Sequence, residues 1–159
     1  MFRGERYEGS KAQQYDAVIR QLQALLEGET DRIANLSNAS ALLGQFLDRI
    51  NWVGFYLFKE GELVLGPFQG LPACVRIPLN RGVCGHAASI RATVRVADVH
   101  AFPGHIACDA ASKSEIVVPI VQDGELLGVL DIDSPEFDRF DEDDQRGLEQ
   151  FVERLSRFL

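Results

Sequence analysis

Apolar residues recur at the three-and-four spacing of a helix face in the first third of the chain. One stripe covers residues 15–26, and Gly28 follows it as a helix stop signal. A second stripe covers residues 33–50, and either Thr30 or Asp31 can serve as its N-cap. The pattern therefore predicts two amphipathic helices ahead of the first strand.

The middle of the chain changes to short apolar runs rich in β-branched residues, which are typical of strands. Turn signals at Lys59-Glu60-Gly61 and at Asp123-Gly124 join the first two and the last two runs as antiparallel hairpins. The predicted strands cover residues 52–58, 62–65, 75–78, 94–97, 115–121 and 126–132.

Two irregular stretches and a last helix complete the pattern. Residues 82–88 are able to open a short helix, and residues 98–114 lack periodicity and are predicted as a long loop, which in compact domains is usually functional. Asp141 caps an apolar stripe at 148–159. We predict an α+β fold: a mostly antiparallel sheet of five to six strands, N- and C-terminal helices packed on one side, and loops that roof a pocket on the other.

Composition limits the class of protein. The chain has 159 residues, of which 46% are hydrophobic, and this suits one domain over 1–159 with 1–10 as a polar lead-in. The formal net charge of −8 argues against binding to nucleic acid or to an anionic membrane, because both need basic patches. The sequence has no stretch typical of a signal core or a membrane span, so we expect a cytoplasmic protein.

The three cysteines, Cys74, Cys84 and Cys108, lie at predicted strand ends or in loops. Cysteine is often a small buried apolar filler. A zinc site that adds His100 and His105 is a second interpretation, although the C-x-x-C spacing of structural zinc sites is missing. Thiol redox chemistry explains the pattern better, because an odd number of cysteines in a reducing compartment favours free thiols or a transient disulfide.

A cysteine nucleophile reacts as the thiolate and needs a nearby cation or hydrogen-bond donor. His105, three residues before Cys108, is a candidate for that role. Oxidation of such a thiolate gives a sulfenic acid, which a neighbouring thiol can convert to a disulfide.

Acidic residues form a second group. Asp131 and Asp133 flank Ile132 on a predicted strand, so the two carboxylates share one face. They either lie at a solvated strand end or, together with Glu115 under the predicted roof, form a negative pocket that binds an ammonium group. Crowding in such a pocket would raise the pKa of one carboxyl and make it a proton donor.

Trp52 and Tyr56 lie on the first predicted strand and also share a face. Such residues belong to a core more often than to a ligand site. In a pocket for a small apolar side chain they would enclose a methyl group.

Seven segments together resemble the free methionine-(R)-sulfoxide reductases, an enzyme family built on the GAF domain. The likeness spans nearly the whole chain. GAF domains in general bind small effectors and often lack catalysis, but the three-cysteine arrangement is specific to this reductase family. The matching segments are NWVGFY (51–56), LGPFQG (65–70), PACVRIP (72–78), GVCG (82–85), DVHAFPGHIACD (98–109), SEIVVP (114–119) and GVLDIDSP (128–135).

The resemblance implies roles for the cysteines. Cys108 would be the nucleophile, Cys84 matches the family's resolving position, and Cys74 would resolve directly or relay the disulfide. Thioredoxin is the implied external reductant, and the resemblance implies neither a cofactor nor a metal. The implied substrate-binding residues are Trp52 and Tyr56 near the S-methyl group and the carboxyls of Glu115, Asp131 and Asp133.

The implied activity is thioredoxin-dependent reduction of free L-methionine-(R)-sulfoxide through sulfenic acid and disulfide intermediates. Asp133 or Glu115 would protonate the oxygen, and the remaining carboxylates would hold the ammonium group that a peptide-bound sulfoxide lacks. The preference for the R epimer rests on the resemblance alone. The alternative is a non-catalytic GAF module that senses redox state or binds a small ligand, and a homodimer through the terminal helices suits either.

Overall fold

Helices and strands follow the order that the hydrophobic pattern predicts in the computed structural model, which describes residues 2–106 and 108–159. Side-chain oxygens of Ser10, Asp31 and Asp141 cap three of the helices, each accepting a hydrogen bond from the backbone N–H three residues later. The elements are α1 (Lys11–Leu26), α2 (Arg32–Phe46), β1 (Trp52–Lys59), β2 (Glu62–Gly70), β3 (Arg76–Pro78), α3 (Gly82–Ile90), β4 (Val94–Val96), a 3-10 turn (Val99–Ala101), β5 (Ser114–Gln122), β6 (Glu125–Ser134) and α4 (Glu142–Ser156).

The described strands form one antiparallel sheet in the order β3-β2-β1-β6-β5-β4. Both predicted hairpins are present. Glu60 and Gly61 have φ of 51° and 84°, and Asp123 and Gly124 have φ of 51° and 79°. Positive φ at both central residues matches the right-handed twist of the flanking strands, which explains why each turn ends on glycine.

Helices α1, α2 and α4 cover one face of this sheet, as the sequence predicts. Alternate side chains of β1, β5 and β6 point toward these helices and are almost completely buried. Burial stabilises the fold by about 1.5–3 kcal/mol for each large apolar side chain. The strand residues of this core are Val53, Phe55, Leu57, Ile116, Val118, Ile120, Leu130 and Ile132.

The opposite face of the sheet carries α3 and the loops. Trp52 and Tyr56 of β1 belong to a second, smaller core together with Val83 and Cys84 of α3. The predicted α+β architecture, with helices on one side and a roofed face on the other, is confirmed. Among the described residues no helix is both long and apolar enough to cross a bilayer.

Some element boundaries differ from the prediction. Strand β2 continues to Gly70 instead of ending at Leu65, because Gly54 leaves room on β1 for the last part of β2: a Cβ at Gly54 would lie 2.3 Å from the Cβ of Phe68. Helix α2 ends at Phe46 instead of continuing to residue 50. The last apolar residues of the predicted stripe therefore lie in the connection to β1 and pack against the core from there.

A buried carboxylate joins α1 to α4. Asp144 is 1% exposed, and its oxygens accept hydrogen bonds from Tyr15 Oη at 2.8 Å, Lys11 Nζ at 3.0 Å and Arg139 Nη1 at 3.3 Å. The Arg139 side chain is itself only 4% exposed. Arg139 also pairs with Asp48 at 3.1 Å, but the Asp48 side chain is 76% exposed, so Asp144 is the buried partner that compensates the lost hydration of the Arg139 cation.

We expect Asp144→Ala to lower the free energy of unfolding by about 3–5 kcal/mol, because it leaves the Arg139 cation buried without this partner. Asp143→Ala is the matched control, since Asp143 is 51% exposed and pairs only at the surface with Arg146, and it should cost less than about 1 kcal/mol. Urea unfolding of both variants measures the difference. Equal losses would contradict this account of the buried pair.

Candidate active site

Strand register brings three carboxyl groups together on the roofed face. Strand β6 lies between β1 and β5, and Asp133 pairs with Trp52 on one side and with Glu115 on the other. Asp131 is two residues from Asp133, so its side chain points to the same face of the sheet. Residues that are distant in the sequence thus meet at one position.

These carboxyls line a cavity that has about 550 Å³ between its walls, including its open mouth. Helix α3 and the loop after the 3-10 turn provide the facing walls. Cys74 is the one predicted site residue that is not part of the lining. The predicted residues that line the cavity are Trp52, Tyr56, Cys84, Cys108, Glu115, Asp131 and Asp133.

The carboxyls are deeply buried, with Glu115 and Asp131 only 6% and 5% exposed. Burial, and next the charge of Asp131, raises the pKa of both Glu115 and Asp133 well above the ordinary carboxyl value. Burial also raises the pKa of Asp131, but hydrogen bonding from Glu115 and Cys84 opposes this rise. Asp131 is therefore the member best suited to carry negative charge, while Glu115 and Asp133 keep their protons to a higher pH than ordinary carboxyls.

One atom of this cluster lacks a hydrogen-bond partner among the described residues. Asp131 Oδ1 is buried and accepts no hydrogen bond there. A buried acceptor without a donor costs about 1–3 kcal/mol. A ligand with several N–H donors and a positive charge would remove that cost, so the cluster suits an ammonium group.

An aromatic wall adjoins the carboxyls. The rings of Trp52 and Tyr56 are buried and stacked, with centroids 5.9 Å apart, and Phe68 stacks on Trp52 at 5.2 Å. Tyr56 Oη donates to the backbone oxygen of Cys74 at 2.9 Å, and Trp52 Nε1 donates to that of Leu71 at 3.2 Å. The same two side chains therefore line the cavity and hold the segment that carries Cys74.

A disulfide joins Cys74 to Cys108, with their Cα atoms 5.6 Å apart. The sequence left either Cys84 or Cys74 as the cysteine that forms a disulfide with Cys108, and in this structure Cys74 forms it. The bond links the β2–β3 connection to the long loop at the edge of the cavity. Two of the three cysteines are thus positioned for thiol–disulfide chemistry.

Cys84 is a buried free thiol in the first turn of α3. Its Sγ lies 3.9 Å from Glu115 Oε2. Burial, and next the charges of Asp131 and Glu115, raises the pKa of the Cys84 thiol well above its ordinary value. Because the thiolate is the nucleophile, a thiol held in its protonated form is poorly suited to attack.

His105 lines the cavity but does not supply a fixed positive charge. Burial, and next the neighbouring His100, lowers the pKa of His105. The imidazole is therefore neutral at neutral pH and is able to accept a proton. The assistance of a Cys108 thiolate by His105 stays a prediction, because Cys108 is part of a disulfide in this structure.

Sequence reasoning assigned no role to Asn51, which ties the Cys108 loop to the sheet. Its Nδ2 donates to Asp109 Oδ2 at 2.9 Å and to Ser112 Oγ at 3.0 Å, and its backbone N–H donates to the Asp133 carbonyl at 2.9 Å. Asn51 and Asp109 both lie in segments that carry the family resemblance. The contact joins residues 58 positions apart, so no local pattern indicates it. The family resemblance of the two segments was the signal in the sequence that could have pointed to Asn51.

Potential metal ligands differ from the set considered in the sequence. Among the described residues, Cys84, Glu115 and Asp131 bring ligand atoms within 4.8 Å of one another. His100 and His105 are not members of this group, and their rings lie 6.5 Å apart. The two disulfide sulfurs also lie outside it, so the described residues do not assemble the cysteine–histidine set of the alternative zinc interpretation.

Known proteins are similar to this chain in both fold and sequence. The GAF domain family model matches residues 18–159. The free methionine-R-sulfoxide reductase of Escherichia coli is 53% identical over 150 residues, covering 94% of this chain and 91% of that protein.

Two solved structures are similar along nearly their whole length. The fRMsr of Staphylococcus aureus in its reduced form has a TM-score of 0.89 and 59% identity, covering 91% of this chain and 94% of its own. The free methionine-R-sulfoxide reductase of Neisseria meningitidis, solved with its substrate, has a TM-score of 0.92 and 46% identity, with 98% and 94% covered. This chain therefore belongs to the GAF-domain family and, within it, to the free methionine-R-sulfoxide reductases.

Proposed function

We propose that this protein reduces free L-methionine-(R)-sulfoxide to L-methionine, with Cys108 as the nucleophile and thioredoxin as the external reductant. One observation carries the proposal: a cysteine of a disulfide and three buried carboxyls line the same cavity. The relatives named for this activity support the substrate and the reaction class.

The carboxyl cluster is proposed to select the free amino acid. An α-ammonium group offers three N–H donors and a positive charge, and Asp131 Oδ1 is a buried acceptor without a partner among the described residues. A methionine sulfoxide within a polypeptide has an uncharged amide in that place. Its binding would leave the buried carboxylate unpaired, which is the strongest form of discrimination available to a polar site.

The aromatic wall is proposed to receive the S-methyl group. Trp52 and Tyr56 present a stacked apolar surface beside the carboxyls. A methyl group placed there sets the orientation of the sulfoxide, so that the sulfur faces Cys108 and the oxygen faces an acid.

The first chemical step is the attack of the Cys108 thiolate on the sulfoxide sulfur while a carboxyl protonates the sulfoxide oxygen. The hydroxyl then moves to the Cys108 sulfur, which is oxidised by two electrons to a sulfenic acid. The substrate sulfur is reduced by the same two electrons and leaves as methionine. Glu115 and Asp133 are the candidate donors, because burial raises the pKa of each well above the ordinary carboxyl value.

The second step is condensation of the sulfenic acid with a thiol. The Cys74 sulfur attacks the Cys108 sulfur, the S–S bond forms, and water leaves. The observed Cys74–Cys108 bond supports Cys74 as the direct resolving residue rather than a relay. Cys84, protonated and hydrogen-bonded within the carboxyl cluster, is assigned to the substrate site.

The competing proposal is a GAF module that senses redox state without turnover. The same disulfide would then report oxidation once and stop. Repeated methionine release separates these two functions.

We expect repeated release of methionine from free L-methionine-(R)-sulfoxide under thioredoxin recycling. The S epimer and a peptide-bound sulfoxide should react at least about 10²-fold more slowly, because each misplaces a group that the cavity orients. Chromatographic quantification of methionine measures all three. Turnover of none of them would favour the sensor, and equal use of the peptide would contradict the role of the carboxyl cluster.

Cysteine variants test the order of events. Cys108→Ser should release no methionine even in a single turnover, whereas Cys74→Ser should release one equivalent and then stop at the sulfenic acid, detectable by dimedone labelling and mass spectrometry. Cys84→Ser is the matched control and should cycle. If Cys84→Ser stopped after one equivalent and Cys74→Ser cycled, the resolving role would belong to Cys84.

The single-turnover rate should fall as pH rises through the raised pKa of the proton donor, because the donor acts in its protonated form, which persists only below that pKa. Glu115→Gln and Asp133→Asn should separate the two candidates at saturating substrate. Loss of the true donor should reduce the rate constant by about 10²–10⁴-fold and remove this pH dependence. Loss of the other carboxyl should mainly raise KM, and neither variant changing the rate constant would exclude both as donors.

A further inference from the structure

The two cysteines of the disulfide lie in different surroundings. Cys108 lines the cavity, whereas Cys74 does not. Cys74 lies in the connection from Gly70 to Arg76 between β2 and β3, in which the preceding residues Leu71, Pro72 and Ala73 form part of the cavity rim. A thiolate carried by another protein is too bulky to enter the cavity. Both cysteines are half-buried, but only Cys74 lies outside the cavity lining, so we expect such a partner to reach the bond at Cys74.

Apolar side chains are exposed on both sides of Cys74. Leu71 is 64% exposed and Val75 is 60% exposed, and Pro72 between them is also exposed. We name Leu71, Pro72 and Val75 the Cys74 patch. Single exposed apolar residues need no explanation, but three of them around a reactive bond mark an interaction surface.

We propose that the Cys74 patch is the docking surface for a protein dithiol reductant of the thioredoxin class. The proposal rests on the proposed function in one respect, that the Cys74–Cys108 disulfide is the species to be reduced. It adds the surface that recognises the reductant and the sulfur that the reductant attacks.

The typical size of a redox interface is large enough to include the exposed residues on both sides of Cys74. Transient electron-transfer complexes bury about 600 Å² on each partner, which corresponds to a circle of about 14 Å radius. Leu71 lies three residues from Cys74 and Val75 lies next to it, so their Cα atoms are at most about 11 Å and 4 Å from that of Cys74. Both residues therefore lie within the reach of a partner centred on the Cys74 sulfur.

The patch is also held in place before any partner binds. The backbone oxygens of Leu71, Cys74 and Val75 accept hydrogen bonds from Trp52 Nε1 at 3.2 Å, Tyr56 Oη at 2.9 Å and the Leu65 N–H at 2.8 Å. Ordering of a loop on association costs affinity. A segment fixed through its backbone avoids that cost while Leu71 and Val75 stay exposed.

The exchange transfers two electrons from the reductant to the Cys74–Cys108 disulfide. A thiolate of the reductant attacks Cys74 Sγ, a new S–S bond forms between the proteins, and Cys108 leaves with the electron pair and takes up a proton. The second thiolate of the reductant then attacks its own sulfur in the mixed disulfide and releases Cys74. The reductant is oxidised by two electrons to its disulfide, and Cys74 and Cys108 become thiols.

The test measures disulfide reduction without any methionine sulfoxide. The oxidised protein is mixed with reduced thioredoxin or with dithiothreitol, and the reaction is quenched with acid. Free thiols are then alkylated, and the intact mass of the protein is measured by mass spectrometry. In the variant Leu71→Asn with Val75→Thr, which nearly preserves shape, the second-order rate constant with thioredoxin should fall about tenfold. The rate constant with dithiothreitol, which needs no docking surface, should stay within about twofold.

Ile33→Thr is the control, because Ile33 is 54% exposed on α2, on the other side of the sheet. It should leave both rate constants unchanged. Equal rates with thioredoxin for the patch variant and the parent would overturn the proposal, and so would an equal fall with both reductants or a native disulfide that does not include Cys74. Failure to release methionine would overturn the proposed function instead and would leave this measurement intact.

Discussion

Three carboxyl groups in one low-dielectric cavity cannot all be charged, and this constraint governs the site. The sheet imposes it, since β6 carries Asp131 and Asp133 between strands that supply Trp52 and Glu115. Burial raises the pKa of Glu115 and Asp133 well above the ordinary carboxyl value, and Asp131 Oδ1 has no hydrogen-bond partner among the described residues. Under the proposed function, the first property would supply a proton and the second would hold the ammonium group of the substrate, so both roles would follow from the same crowding of carboxyls.

The two faces of the sheet differ in what they carry: one carries the larger apolar core, and the other carries the candidate active site. Three helices bury the apolar residues of one face, and the Asp144–Arg139 pair fixes the entry to α4. The opposite face has a smaller core around Trp52 and Tyr56, and it accommodates the strain of crowded carboxyls because the helix side supplies most of the apolar burial.

Periodicity and turn residues were sufficient to predict the hairpins and the helices, because those signals are local. Glu60-Gly61 and Asp123-Gly124 adopt the positive φ that their sequence favours. The end of β2 was not predictable, since it depends on Gly54 of another strand making room for Phe68. At the site, alternation correctly placed Asp131 and Asp133 on one face, whereas the choice of Cys74 over Cys84 and the tie from Asn51 to Asp109 depend on loop geometry that no spacing encodes.

The hydrogen bonds from Trp52 and Tyr56 to the β2–β3 connection end on backbone oxygens, not on the cysteine sulfur. They do not involve the Cys74 sulfur, so breaking the disulfide removes neither of them. Under the proposed function, a Cys74 thiol held beside a newly formed sulfenic acid on Cys108 would react at a high effective concentration. Capture of the sulfenic acid in this way would prevent a second oxidant from converting it irreversibly to a sulfinic acid.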